Sequence, residues 1–412
     1  MAHHRLALFA GFGLLSFGLL LGWLWLDKAA LQVVYPDLSW LFLSIVLMSV
    51  AVGWFADSVK TGFLQAGLSG FIVMLTLGAL GWLGFEISAQ ALLGLVVVIS
   101  LLTSNLIHLM LSVLREMARG VFQFDALAEA LNSNNVPIFL SNSTTALGFA
   151  FAAWFDSSLH DLAWMVAVGA LLSYLTVISW LPLILLSWLL EFRVGSTSDR
   201  HGFGFIAQWL IKRPKITQKT VVLSALASVG LLVYVALTQR LVLDALWMTG
   251  IFFGVFLGLF WFFWRRFALA LLNVYLNLIA LLFTLVIYQS WITVGNEALF
   301  LTLLFIPMGL IVDDGIHFFT RYVRAKNRFL NDTPAAVKYA MASVARPIWM
   351  SSVVLFAGLS VLLLSNNGLM VSASAVTLVA IVISTVFILG VLPALLINGK
   401  IGAFIKNTNE EP

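Results

Sequence analysis

Long apolar runs separated by short polar stretches make up almost the whole chain. A run of about 17–25 apolar residues is long enough to cross the roughly 30 Å hydrocarbon layer of a bilayer as a helix. The chain holds twelve such runs and therefore predicts twelve transmembrane helices. The predicted spans are 6–26, 39–56, 64–85, 90–112, 137–155, 162–190, 216–237, 243–264, 268–291, 298–320, 347–365 and 372–397.

The first apolar run follows the opening MAHHR and resembles a secretory signal sequence. The apolar part of a signal peptide is usually about 7–15 residues long. The run here extends from Leu6 to Leu26, and no small-x-small cleavage site follows it. We therefore expect this segment to stay as a membrane anchor.

Basic residues predict how the spans are oriented. With a cytoplasmic N-terminus, only Lys28 and Arg240 of the 22 Lys and Arg lie in outer loops, and the others lie on the inner side. Short loops rich in Lys and Arg remain in the cytoplasm. We therefore expect a multi-pass protein of the cytoplasmic (inner) membrane, with both termini in the cytoplasm.

The two halves of the chain resemble each other. SNLIHLMLSVLR (104–115) and DDGIHFFTRYVR (313–324) share Ile, His and Arg at an offset of 209 residues. Pro137 and Pro347 continue the match, and so do Pro182 and Pro393, with a drift of one or two residues. Six spans per half is an even number, so both halves have the same orientation, related by a pseudo-twofold axis along the membrane normal.

The predicted fold is therefore all-α, with two parallel six-helix repeats. The first repeat covers 1–195, a cytoplasmic linker 196–215, the second repeat 216–400 and a cytoplasmic tail 401–412. Residues 120–136 and 327–346, before the fifth and eleventh spans, carry apolar residues such as Phe124, Leu127 and Leu131 at helical spacing. They predict amphipathic helices at the membrane surface, and a solvated connector is the alternative.

Composition excludes several classes of protein. Hydrophobic residues make up 62% of the chain and charged residues 10%, far from the balance of soluble domains. The net charge of +4 comes from loop residues that set topology, so nucleic acid is not an expected partner. Cysteine is absent, no phosphate-binding loop is found, and the six His lack local ligand spacing. The sequence predicts neither an enzyme nor a cofactor or metal site.

Two adjacent carboxyl groups are the outliers of the charge pattern. Asp313 and Asp314 alone among eighteen acidic residues lie well inside a predicted span. A charged Asp at the bilayer centre costs about 2.5–3.5 kcal/mol on insertion scales, so such residues face the bundle interior and find partners. His317 lies on the same helix face. A proton relay through these three residues is one interpretation, and a hydrogen-bonded structural node is the other.

Other polar residues fall at matching depths in neighbouring spans. We expect them to line the relay, although Ser and Thr hydroxyls in membrane helices often bond back to their own carbonyls. They are Asn105 and His108 in the fourth span, Ser141 and Asn142 in the fifth, and Ser351 and Ser352 in the eleventh.

These motifs resemble the resistance-nodulation-division (RND) superfamily, in particular its MMPL and sterol-sensing-domain-like exporters. The resemblance is carried by GLIVDDGIHFFTRYVRAK, by ARPIWMSSVVLFAGLSVLLLS with VLPALL, and in the first half by NVPIFLSNSTTALGFAFAAWFDSSLHDLAWMVAVG with WLPLILL. It covers nearly all the membrane part. It implies a proton-driven inner-membrane transporter in which Asp313 and Asp314 form the relay, with Asn105 where related proteins often have Asp.

The chain departs from such exporters in its outer loops. About a dozen residues, Asp27 to Leu38, join the first two spans, and about five join the seventh and eighth. Neither loop has room for an extracytoplasmic porter domain. Two functions follow: a proton-linked transporter of a hydrophobic or lipid-like substrate, or a non-transporting lipid-sensing or accessory subunit of a full-length exporter. Expected partners are membrane lipids, a hydrophobic small molecule, an exporter or adaptor, and other copies of the chain.

Overall fold

The computed structural model describes residues 2–25, 38–85, 87, 91–187, 203–238, 243–291, 297–329 and 332–397. Within these ranges the chain is helical, and no strand occurs. Helices satisfy every backbone polar group internally, as a lipid environment requires. The helices are α1 (Ala2–Leu21), α2 (Leu38–Phe55), α3 (Val59–Leu83), α4 (Ala91–Met117), α5 (Gln123–Phe155), α6 (His160–Leu175), α7 (Gly204–Ile211), α8 (Pro214–Thr238), α9 (Leu243–Trp264), α10 (Phe267–Trp291), α11 (Glu297–Arg328), α12 (Thr333–Ser360) and α13 (Gly368–Val386).

The chain is an all-helical, multi-pass membrane protein. A helix lies at each of the twelve predicted span positions. Among the described residues, seven helices are long and apolar enough to cross a membrane, and shorter apolar stretches lie in α1, α2 and α9. The twelve-span arrangement in two repeats stays a prediction, and so does the orientation of the termini.

Helices α4 and α11 form the centre of the bundle. Every side chain from 93 to 110 and from 305 to 322 is buried. A helix that is buried on all sides must be surrounded by other helices. The most polar segments of the predicted spans therefore lie where lipid does not reach them.

The two halves share unusual local geometry. Asp57 (φ 50°) and Arg265 (φ 54°) both adopt left-handed backbone conformations in the tight turns after α2 and α9.

Helices α6 and α13 each continue into a π-helical turn, Thr176–Trp180 and Phe387–Val391. Each turn ends two residues before a proline, Pro182 or Pro393. A proline ring clashes with the carbonyl four residues earlier, and a π turn removes that clash.

Helices are present in both of the segments predicted to lie at the membrane surface, but each is continuous with the span that follows. Residues 123–155 form one continuous helix through Pro137, and α12 is likewise continuous through Pro347. Leu127 is buried in the protein core, while Phe124 is exposed. The periodic apolar residues of 120–136 therefore pack partly against protein rather than lipid.

Part of the predicted linker is also helical. Gly204 in α7 packs against Ala342 of α12, so this segment is attached to the second half. The linker residues 196–202 lie outside the described residues, as do the tail 401–412 and both outer basic residues, Lys28 and Arg240.

Candidate functional site

Helices α4 and α11 meet through residues that are 209 positions apart. Ser104 Oγ donates a hydrogen bond to Asp313 Oδ2 at 2.7 Å. One turn further, the rings of His108 and His317 stack with centroids 3.6 Å apart and planes 15° apart. Each residue thus contacts the residue that the sequence match predicts as its counterpart in the other half.

A third pair continues the series towards the inner end of the helices. Arg321 Nη2 donates to Ser112 Oγ at 3.2 Å and to Ser133 Oγ at 2.9 Å. Arg321 is buried, so these hydroxyls replace much of the water that a guanidinium otherwise binds. Sequence reasoning missed Arg321 as a site residue because it lies just beyond the predicted span, where basic residues are common.

The carboxyl of Asp314 points away from the contact between α4 and α11 and into the second half. It accepts hydrogen bonds from Ser352 Oγ at 3.2 Å and from Thr385 Oγ1 at 3.4 Å. The Thr385 hydroxyl is also 2.8 Å from Ser352 Oγ. Helices α11, α12 and α13 therefore converge on Asp314. Thr385 was not predicted from sequence, since a single Thr in an apolar span is usually bonded to its own helix.

The two aspartates are enclosed, with 5% of Asp313 and 8% of Asp314 exposed. A small cavity beside them has room for about one water molecule. Its polar lining comes from both halves and is formed by Ser104, Asp313, Asp314, Ser351 and Ser352. The predicted carboxyl pair therefore lies in protein at the contact between α4 and α11, away from lipid.

Asp313 has a second neighbour in its own helix. His317 Nε2 is 3.4 Å from Asp313 Oδ1, within ion-pair distance, but neither atom has a hydrogen-bond partner. Both side-chain amide atoms of Asn105 are likewise buried without a partner. Buried polar atoms are nearly always hydrogen-bonded, so a group of buried donors and acceptors without hydrogen bonds is unusual.

Three predicted lining residues make no hydrogen bond to the carboxyl groups. Asn142 donates to the carbonyl of Ile138 in its own helix, and Ser141 Oγ has no partner among the described residues. Ser351 lines the cavity but bonds back to the Ile348 carbonyl. Helix α5 instead reaches α11 through Thr145, whose hydroxyl donates to the Gly309 carbonyl at 2.6 Å.

No family model matches the chain, and no curated protein matches it. The solved structures do show similarity. A structure of SecDF in a super-membrane-facing form superposes with a TM-score of 0.69 at 13% identity, covering 94% of this chain and 64% of that one. SecDF from Thermus thermophilus, described as a translocon-associated membrane protein, gives a TM-score of 0.72 at 12% identity, covering 91% and 62%.

The chain thus spans less than two thirds of the length of each SecDF structure. Identity at this level establishes the fold alone. A transmembrane fold like that of SecDF is shown by this similarity, whereas the RND, MMPL and sterol-sensing relationship stays a prediction. The chain has the transmembrane architecture seen in SecDF.

Proposed function

We propose that this protein is a transporter driven by the proton gradient, with Asp313 and Asp314 as the groups that gain and lose the proton. The observation that carries the proposal is the enclosure of two adjacent carboxyl groups at the contact between α4 and α11. A charge in such surroundings is stabilised mainly by its immediate partners. Gain of a proton therefore changes which helices these groups hold together.

The two carboxyl groups act on different contacts. Asp313 is bonded to Ser104 in the first half, so its protonation alters a bond between the halves. Asp314 is bonded to Ser352 and Thr385, so its protonation alters packing within the second half. One proton crossing the full membrane potential supplies about 2.3 kcal/mol per 100 mV, enough to shift a two-state equilibrium about fifty-fold.

A hydrophobic or lipid-like substrate is the second part of the proposal. An apolar groove of about 630 Å³ lies between α2 and α3, lined by side chains such as Phe42, Val46 and Phe63. Phe42 and Phe63 are exposed on the bundle surface, which lipid would cover. A substrate dissolved in the bilayer would reach this groove sideways, without an extracytoplasmic domain.

Reconstitution in proteoliposomes tests the relay. With a pH gradient imposed, a trapped pH indicator follows proton entry and a fluorescent hydrophobic dye follows transport. Asp314→Asn should lower both gradient-dependent rates at least tenfold, because the amide cannot release a proton. Asp125→Asn makes the same change at an exposed position and should leave both rates within about twofold of wild type. Unchanged rates in Asp314→Asn would rule out the relay.

A second function is favoured by the comparisons. One SecDF is described as translocon-associated, and this chain spans less than two thirds of the SecDF length. An accessory or lipid-sensing subunit that associates with a larger exporter would fit both facts. Copurification of a larger membrane protein after crosslinking in the native membrane, with no proton entry in proteoliposomes of the isolated chain, would decide for this role.

A further inference from the structure

Three buried side chains with metal-binding atoms meet between α4 and α11. They are His108 of the first half and Asp313 and His317 of the second. Their candidate ligand atoms all lie within 4.8 Å of one another. Spacing along the chain predicted no metal site, because His108 and His317 are 209 residues apart and only the fold brings them together.

The candidate ligand atoms of this cluster make no hydrogen bonds to other protein atoms. Nε2 of His108, Nε2 of His317 and Oδ1 of Asp313 are all buried without a hydrogen bond. Asn105, one turn before His108 on the same helix, adds an amide oxygen that is also without a partner. Several buried nitrogen and oxygen atoms that lie close together without hydrogen bonds indicate a bound ligand that accepts their electron pairs.

We propose that His108, Asp313 and His317 bind a divalent transition-metal ion of the Zn²⁺ class. Two imidazole nitrogens and one carboxylate oxygen suit Zn²⁺, Co²⁺ or Ni²⁺, whereas Mg²⁺ and Ca²⁺ prefer oxygen ligands throughout. This site goes beyond the proposed transport function and does not depend on it.

The carboxylate of Asp313 compensates part of the charge of a divalent ion at this place. The neighbouring carboxyl of Asp314 is bonded to Ser352 and Thr385 in the second half. Arg321 lies one helical turn beyond His317 and adds a positive charge near both histidines, and its guanidinium is bonded to Ser112 and Ser133. A buried ion needs the compensation that Asp313 provides because water is absent.

Binding would link the two central helices. Zinc ligands lie about 2.0–2.2 Å from the ion, and the candidate ligand atoms here, which come from both helices, already lie within 4.8 Å of one another. The imidazole rings are stacked face to face, and a metal binds in the plane of each ring, so at least one ring must rotate. The ion would therefore join α4 to α11 and hold the two halves in one relative position.

Cobalt titration of the purified full-length chain tests the proposal. The chain has no cysteine, so visible absorption from bound Co²⁺ cannot come from thiolate ligands. The protein should be free of a histidine tag and carry His3→Gln and His4→Gln to remove the N-terminal pair. We expect one Co²⁺ per chain, displaced by Zn²⁺, and at least tenfold weaker binding after His108→Gln or His317→Gln.

His160→Gln is the matched control, because His160 is exposed on the surface, and it should bind Co²⁺ as the parent does. Gel filtration and thermal unfolding verify that each variant is folded. The proposal is overturned if the folded parent binds no Co²⁺, or if binding persists in both His108→Gln and His317→Gln. No proton gradient is used, so failure here leaves the transport proposal intact.

Discussion

At the scale of single residues, the centre of the molecule pairs unlike side chains. Ser104 faces Asp313 and Ser112 faces Arg321, although the members of each pair occupy equivalent places in the two halves. Of the three pairs described, the two histidines are the one pair of like residues. The first half thus contributes hydroxyl groups where the second half contributes charges.

Thr385 provides a test of how Asp314 is held. Thr385→Val keeps the shape but removes the hydroxyl near Asp314 and Ser352. We expect proton entry in proteoliposomes to fall severalfold, less than in Asp314→Asn, because one hydrogen bond is worth about 0.5–1.5 kcal/mol. Thr377→Val in the same helix removes a hydroxyl that bonds only to the Ala373 carbonyl. Equal losses in both variants would contradict the assigned role.

Whether a residue of the site can be predicted from the sequence depends on its side-chain chemistry. Asp313 and Asp314 stand out because charges are rare inside apolar runs. Uncharged polar residues give no such signal, since their side chains can bond to their own helix, as the hydroxyl of Ser351 and the amide of Asn142 do. Which polar residues reach the carboxyl groups is decided by helix packing.

At the scale of helices, close packing between α5 and α11 depends on glycine. A Cβ atom added at Gly148 would lie 2.9 Å from the Phe305 carbonyl oxygen and 3.0 Å from the Gly309 Cα. Small residues allow this approach of two backbones, as is common in membrane proteins. The hydroxyl of Thr145 bonds across the same contact.

Gly148→Ala should therefore destabilise the protein by about 1–3 kcal/mol, the usual cost of overpacking. Gly67→Ala adds the same methyl group to a helix where no atom lies within 4 Å. That variant should be neutral or up to about 1 kcal/mol more stable, because alanine favours helix. Denaturant unfolding in detergent measures both changes. Similar effects in the two variants would show that α5 and α11 do not pack as described.

Apolar run length predicted where helices lie but not where each one ends. Residues 120–136 and 327–346 carry the amphipathic pattern of surface helices, yet both continue into the next helix. An apolar stripe has the same spacing whether lipid or protein covers it. The π turns before Pro182 and Pro393 were likewise not predicted, because they arise from backbone clashes.

At the scale of the whole molecule, orientation in the membrane is open to a direct test. The chain has no cysteine, so a single introduced cysteine can be labelled alone. Asp125 and Ser158 are both exposed; Asp125 lies in the first turn of α5, and Ser158 lies three residues beyond its last residue. In intact cells whose outer membrane has been made permeable, an impermeant maleimide should label Ser158→Cys. Asp125→Cys should react only after the inner membrane is broken. The reverse pattern would place both termini outside.

The pairing of equivalent residues along α4 and α11 has a consequence for how such a centre tolerates charge. An aspartate at position 104 as well as at 313 would set two carboxylates against each other, and like charges at that spacing repel strongly where the dielectric constant is low. With Ser104 opposite Asp313, the carboxylate instead accepts a hydrogen bond from the Ser104 hydroxyl. This difference between the two helices allows a negative charge to reside at the midline, and an aspartate on both sides would remove that freedom.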